Sequence, residues 1–271
     1  MKRISNYHSH IYLCGHATGT IEDYVKEAIK WGYEEIGISD HGPIPESFVG
    51  KEKYKLFWLE RFMSLSQLDN EYLKAINECR EKYHNIKILA GLEIEYVPNH
   101  DDYYQALFNK VDYLNYGVHY FCTKDDIVDT YLEMTEENME YYAKNVEEAL
   151  SKGWFSCLVH PDLYLYKVDK FTKFHEKIAR SVIESCIKYD VYLEVNANGE
   201  DKYPRKEFWS IVKEYKDAKI IIGSDAHKVE DFHGEKLKRA MKFAQDLSLN
   251  IQEKMEIKGH CLGNKNGSNR S

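Results

Sequence analysis

Short apolar runs alternate with longer amphipathic ones along almost the whole chain. Residues 4–10 alternate apolar and polar side chains and read as a first strand. Ile21, Tyr24, Val25, Ala28 and Ile29 then recur at helical spacing. Thr20 has N-cap chemistry, Glu22 and Asp23 fall in the first turn, and Gly32 marks the stop. The same alternation predicts strands over 35–39, 86–96, 111–118, 155–159, 191–196 and 219–223. It predicts helices over 67–83, 103–110, 136–152, 177–189, 204–215 and 229–247. Residues 44–66 form a long connection with room for short helices or a lid, and 120–135 an aromatic and polar excursion above the strand ends.

Seven units of strand followed by helix imply a parallel α/β sheet. The count favours a closed or nearly closed barrel over a doubly wound sheet. No Gly-x-Gly-x-x-Gly follows the first strand, so a dinucleotide fold loses support. No solenoid-type repeat is present. The expected organisation is one barrel domain over 1–250 and a polar, disordered tail over 251–271, rich in Gly, Asn, Ser and Lys towards its end.

Composition narrows the function class. At 271 residues, 43% hydrophobic and 30% charged, the chain can bury a sizeable core and reads as a soluble globular protein. A net charge of −8 disfavours nucleic-acid binding by bulk charge. The six cysteines are widely spaced and form no Cys-x-x-Cys pair, which suits free thiols in a reducing cytoplasm. Neither a signal peptide nor a membrane span is expected, and the sequence leaves the oligomeric state open.

The candidate chemistry lies at the strand ends. His8 and His10, two apart on a strand, project to one face and can grip a divalent ion. His16 follows in the next loop. Asp40 and His41 close the second strand, Glu93 sits in the third, His119 ends the fourth and His160 the fifth. Asp225 and His227 close the seventh. In parallel barrels the C-terminal strand ends converge on one face, so these residues would share one cavity. Seven of the twelve histidines occupy such positions, which a scatter of singly bonded strand-end histidines explains poorly. His84, His100, His175, His233 and His260 lie in helix-like or polar segments and are expected to face solvent.

The ordered set His8-Ser9-His10, His16, Asp40-His41, Glu93, His119, His160 and Asp225-Ala226-His227 resembles the motifs of the PHP (polymerase and histidinol phosphatase) phosphoesterases. The resemblance spans roughly 4–247, and every expected ligand position is filled. It implies a distorted seven-stranded (β/α)7 barrel. The stretch Ser39-Asp40-His41-Gly42-Pro43-Ile44-Pro45 looks most like histidinol-phosphate phosphatases within that family. By position the resemblance implies three divalent metal ions (Zn, Fe or Mn). His8, His10, Glu93 and Asp225 would hold the first. Glu93 would bridge to a second, completed by His119 and His160. His16, His41 and His227 would hold the third.

Such a ligand set implies phosphate-ester hydrolysis by a metal-bound hydroxide attacking phosphorus in a strongly cationic cluster, and the resemblance implies L-histidinol phosphate as the substrate, a step of histidine biosynthesis. Asp40 has two readings: a proton carrier to the leaving alkoxide, or a group that orients a ligand imidazole. Glu95 is a candidate for a supporting role beside Glu93. Arg205, after the sixth strand, is a candidate phosphate clamp, with an exposed arginine near a helix start as the alternative. Asp40, Glu95 or Asp162 would pair with the substrate amine. The rival functions are a PHP-fold phosphoesterase acting on nucleotides or nucleic-acid ends and a non-catalytic metal-binding module. The amidohydrolase class also opens on His-x-His, but normally has eight strands and often a bridging lysine.

Overall fold

The computed structural model describes residues 4–45, 61–132, 134–199 and 202–259. Most of the long connection expected over 44–66 lies outside them.

After strand β1 (Ser5–Asn6), helix α1 (Ile21–Lys30) starts at Thr20, whose hydroxyl accepts from the Asp23 amide while Asp23 accepts from the Thr20 amide. This reciprocal cap satisfies two of the helix's orphan donors. Ile21, Tyr24, Val25 and Ala28 form its buried face, and Gly32 at φ +72° turns the chain into strand β2 (Glu35–Ile38). A short helical turn at Leu65–Gln67 and a π segment at Leu68–Tyr72 lead into α2 (Leu73–Lys82). Strand β3 (Lys87–Ile94), helix α3 (Asp101–Lys110) and strand β4 (Tyr113–Tyr116) follow.

The excursion after β4 carries an antiparallel hairpin, β5 (Tyr120–Cys122) with β6 (Ile127–Asp129). The remaining units are α4 (Glu136–Ser151), β7 (Phe155–Leu158), α5 (Lys173–Lys188), β8 (Tyr192–Asn196), α6 (Lys206–Val212) and β9 (Ile220–Gly223). The last helix is shorter than its apolar spacing suggests. Val229–Asp231 is a separate 3-10 turn, and α7 (Glu235–Asp246) begins after Gly234.

The seven main strands pair in parallel in the order β1-β2-β3-β4-β7-β8-β9. The two ends of this sheet meet. The His10 amide donates to the Ala226 carbonyl at 2.9 Å, and the Asp225 amide to the His8 carbonyl at 2.9 Å. The resulting Ser9–Ala226 bridge closes the barrel beyond the regular ends of β1 and β9. The fold is therefore the (β/α)7 barrel, with no open sheet edge at that seam.

The barrel interior is filled rather than hollow. Tyr113 projects from β4 across the axis, and its hydroxyl donates to the Tyr7 carbonyl at 2.9 Å. It fits only because β3 offers Gly91 opposite, where an added Cβ would lie 2.1 Å from the Tyr113 Cζ. Leu89, Cys157, Tyr192 and Ile221 complete this layer.

The expected tail boundary is corrected. Residues 251–259 are seated against the foot of the barrel. Ile251 bridges to Ile220, the Met255 amide donates to the Tyr7 hydroxyl at 3.0 Å, and the Met255 side chain is buried in the same layer as Tyr113. The Lys258 amide reaches the Ser156 hydroxyl at 3.0 Å. The physical reason is that Met255 and Ile257 supply apolar side chains that cover this layer, while Ile251 packs against the main core. Residues 260–271 lie outside the described part. Among the described residues no helix is long and apolar enough to cross a membrane.

Candidate metal centre

All nine residues singled out as ligands converge at the C-terminal end of the barrel. The His8 and His10 Nε2 atoms lie 3.1 Å apart. His10 Nε2 stands 3.3 Å from Glu93 Oε2 and 3.1 Å from Asp225 Oδ1, and His8 Nε2 stands 3.4 and 3.5 Å from the same two oxygens. The other Glu93 oxygen, Oε1, faces the opposite way. It lies 2.8 Å from His160 Nε2 and 3.7 Å from His119 Nε2. Glu93 thus has one oxygen towards each of two imidazole groups, the arrangement a bridging carboxylate needs. On the outer side His16 Nε2 and His227 Nε2 are 2.9 Å apart, with the His41 ring 5.3 Å from that of His16.

These groups fit divalent cations on physical grounds. Carboxylates packed against imidazole nitrogens at 3–3.5 Å are a donor set for ions such as zinc. His41 Nδ1 and His160 Nδ1 are buried with no hydrogen-bond partner among the described residues, although His41 Nδ1 is only 3.2 Å from Glu93 Oε2. Such an atom is costly unless something else satisfies it. Burial pushes His41 well below the usual imidazole range. Burial and the neighbouring His10 charge bring His227 down to about 3, and burial lowers His16 as well. These rings are therefore neutral and free to donate a lone pair. Burial alone would depress His8 too, but Glu194, Asp225 and Glu93 outweigh it and lift it well above the usual value. Cations entering here would displace those protons.

Two ligands sit on unusual backbone. His160 has φ +34° and Asp225 φ +46°. A non-glycine residue in this region costs about 1–3 kcal/mol, and such strain clusters at functional sites.

Carboxylates behind the imidazoles hold them in place. Asp40 corrects one expectation: it is fully buried and does not reach the cavity. Its Oδ1 lies 3.3 Å from His10 Nδ1 and accepts from the His41 amide at 3.0 Å, while Oδ2 accepts from the Cys14 amide at 3.1 Å. Asp40 is thus placed to orient a ligand ring, the second of its two readings. Glu95 does the same for His119, whose Nδ1 is 2.6 Å away. The sequence reading missed Glu194 on β8. Its Oε1 sits 2.7 Å from His8 Nδ1, and its Oε2 accepts from the His160 amide at 3.1 Å and from Asn196 Nδ2 at 2.8 Å. A lone acid in the apolar run Val191-Tyr192-Leu193-Glu194-Val195 was the available signal, the same signature that marks Glu93 on β3. Together these three buried carboxylates add to the negative charge of Glu93 and Asp225 around the imidazoles.

Arg205 is a second correction. It does not line the cavity. Its Nη1 donates to the Leu165 and Val168 carbonyls at 3.1 and 2.8 Å, and its amide binds Asp162. It ties the turn after β7 to the start of α6. Asp162 is committed to that contact, and burial raises its carboxyl to about 6. With Asp40 and Glu95 also committed, none of the three carboxylates proposed for the substrate amine faces the cavity.

The cavity above the cluster has a volume of about 570 Å³. Its floor includes Glu93, Asp225 and His119. Its walls carry Arg61, Lys167, Phe62, Tyr131, Tyr166 and Tyr203. The volume suits a small ligand, and the mix of aromatic walls and few cations suits one bearing an anion. Arg61 and Lys167 come from connecting segments, where periodicity gives no information about direction.

Comparison with known proteins agrees with this geometry. The PHP domain model matches residues 6–198. The histidinol-phosphatase of Bacillus subtilis strain 168 is 26% identical over 260 residues, covering 83% of this chain and 93% of its own. A hisK protein of Listeria monocytogenes superposes with a TM-score of 0.71 at 20% identity, covering 84% of this chain and 97% of its own. Histidinol phosphate phosphatase of Lactococcus lactis, solved with zinc, L-histidinol and phosphate, superposes with a TM-score of 0.67 at 18% identity, covering 94% of this chain and 99% of its own. With the matched region holding the first seven of its nine converging ligands, this chain belongs to the PHP domain family.

Proposed function

We propose that the protein is a metal-dependent phosphoric monoester hydrolase that converts L-histidinol phosphate to L-histidinol and phosphate, a step of histidine biosynthesis. The observation that carries the reading is the convergence of nine ligand-type side chains beneath a small cavity walled by Arg61 and Lys167. Three divalent ions are assigned to them: one with His8, His10, Glu93 and Asp225, one with Glu93, His119 and His160, one with His16, His41 and His227. Zinc, iron and manganese all suit this donor set. When bound, such ions supply Lewis acidity towards phosphate and a water acidified to near-neutral pKa.

The chain's own residues do the rest. Arg61 and Lys167 draw the phosphate dianion into the cavity, the guanidinium by bidentate contact. Phe62, Tyr131, Tyr166 and Tyr203 offer flat apolar faces to the imidazole end of the substrate and exclude water from the ester. Asp40, Glu95 and Glu194 fix the ring orientations of His10, His119 and His8. The histidinol assignment rests on the Bacillus subtilis relative and on the Asp40-His41-Gly42-Pro43 stretch. The free thiols Cys14, Cys79, Cys122, Cys157 and Cys186 suit a reducing cytoplasm.

The test is phosphate release by purified protein from histidinol phosphate, before chelation, after chelation, and after re-addition of each metal. Loss and recovery of activity are expected. Metal-independent release, or none under any metal, contradicts the reading. Faster turnover of nucleotides would favour the nucleotide alternative.

A further inference from the structure

The three groups of ligands are not equally supported. In the first group His8 Nδ1 faces the Glu194 carboxylate at 2.7 Å, and His10 Nδ1 faces the Asp40 carboxylate at 3.3 Å. In the second, His119 Nδ1 faces the Glu95 carboxylate at 2.6 Å. A carboxylate behind an imidazole fixes its tautomer and makes the opposite nitrogen a stronger donor. The third group has no carboxylate of its own among the described residues: His41 Nδ1 approaches only Glu93, a member of the first two groups, and in the second group His160 Nδ1 has no partner among them either. His16 Nδ1 lies 3.0 Å from the Cys14 carbonyl, and His227 Nδ1 lies 3.1 Å from the Asp225 carbonyl. A neutral carbonyl orients a ring but adds no charge.

The carboxylate oxygens nearest to the third group are shared. Glu93 Oε2 is 3.2 Å from His41 Nδ1 but also 3.3 Å from His10 Nε2. Asp225 Oδ1 is 3.5 Å from His227 Nδ1 but 3.1 Å from His10 Nε2. Two members of the third group are more exposed than the first group, as is His119 of the second, whereas His41 is buried. His16 and His227 are partly exposed and line the cavity, while His8 and His10 are buried beneath it.

We propose that the position formed by His16, His41 and His227 is an exchangeable metal site, filled and emptied at metal concentrations where the other two positions stay occupied. Resting on the three-ion reading above, the proposal adds an order of affinity. Losing a supporting partner typically costs 10- to 100-fold in metal affinity. With neutral supports in place of carboxylates, and with solvent access, this position is expected to bind at least ~10-fold more weakly than the others. The metal content of the protein would then step between two and three ions per chain as free metal varies.

The experiment is equilibrium dialysis of the full chain against metal-buffered zinc solutions, with zinc per chain measured by elemental analysis. Two stages are expected, a plateau at two ions and then a rise to three. His227→Asn should remove the weaker stage and leave the plateau at two. Glu194→Gln should instead shift the tighter stage to higher free zinc. Circular dichroism of each variant checks that the fold persists. Binding of all three ions in one stage overturns the proposal and leaves the three-ion reading intact. A His227→Asn chain that still binds three ions also overturns it. Saturation at two or fewer ions in the parent chain at millimolar zinc contradicts the three-ion reading and the proposal with it.

Discussion

Gly223 is the last residue of β9, and what stands beside it makes a sharp test of the site's architecture. A Cβ added there would lie 1.7 Å from Glu194 Oε1 and 2.5 Å from its Cδ. The carboxylate has to move by more than 1 Å to escape, about the difference between that distance and a normal contact. That displacement breaks its contacts to His8 at 2.7 Å, the His160 amide at 3.1 Å and Asn196 at 2.8 Å. Overpacking costs about 1–3 kcal/mol, and each hydrogen bond to a charged group about 1.5–3 kcal/mol, with losses at shared partners not additive. Gly223→Ala is therefore expected to destabilise the metal-free protein by about 4 kcal/mol, or roughly 10 °C in Tm. Metal-free protein is the right material, because bound ions would add their own stabilisation by mass action. The control is Glu194→Ala. With the side chain gone, adding the methyl at position 223 should cost less than about 1 kcal/mol. Urea unfolding of the parent, both single variants and the double variant gives the coupling. A cost of Gly223→Ala that is the same with and without Glu194, or one below about 1 kcal/mol in the parent, refutes the reasoning.

Three further outcomes follow from the same structure. Met255→Ala, at the barrel foot, should lower stability by about 2–4 kcal/mol without changing metal content, checked by thermal unfolding and elemental analysis. Arg205→Met should lower Tm by releasing the Leu165 and Val168 carbonyls yet leave KM for the phosphate ester unchanged, whereas Arg61→Ala should raise KM by ~10-fold or more. Glu93→Gln should lower the affinity for two ions together and reduce activity far more than Glu95→Gln; equal, mild effects would contradict a bridging Glu93.

Much of this was legible in the sequence because the relevant signals are periodic. His8 and His10 share a face by strand geometry, and the strand ends converge because parallel barrels build their sites there. The Thr20 cap and the glycine after α1 are local chemistry that tertiary structure did not override. What the sequence hid is direction and partnership. Asp40 adjoins His41 along the chain, but its carboxylate turns back to His10 and the Cys14 amide. Arg205 lies near the site in sequence, yet its guanidinium is consumed by carbonyls of another loop. Glu194 carried no accompanying histidine or aspartate motif; only its place as a lone acid in an apolar run pointed to it, and its partner His8 became visible in the fold. Residues 251–259 show no periodic pattern, because the apolar residues at 251, 255 and 257 stand singly among polar ones.

The central claim is that this metal centre and cavity are built for histidinol phosphate. The most direct test is kcat/KM for L-histidinol phosphate against an aryl phosphate and a nucleoside monophosphate, on the same metal-replete protein. Binding energy from the organic half of the substrate, used in the transition state, should give histidinol phosphate an advantage of several orders of magnitude, at about 1.4 kcal/mol for each tenfold. Equal values for the three esters, or a higher value for the nucleotide, would contradict it.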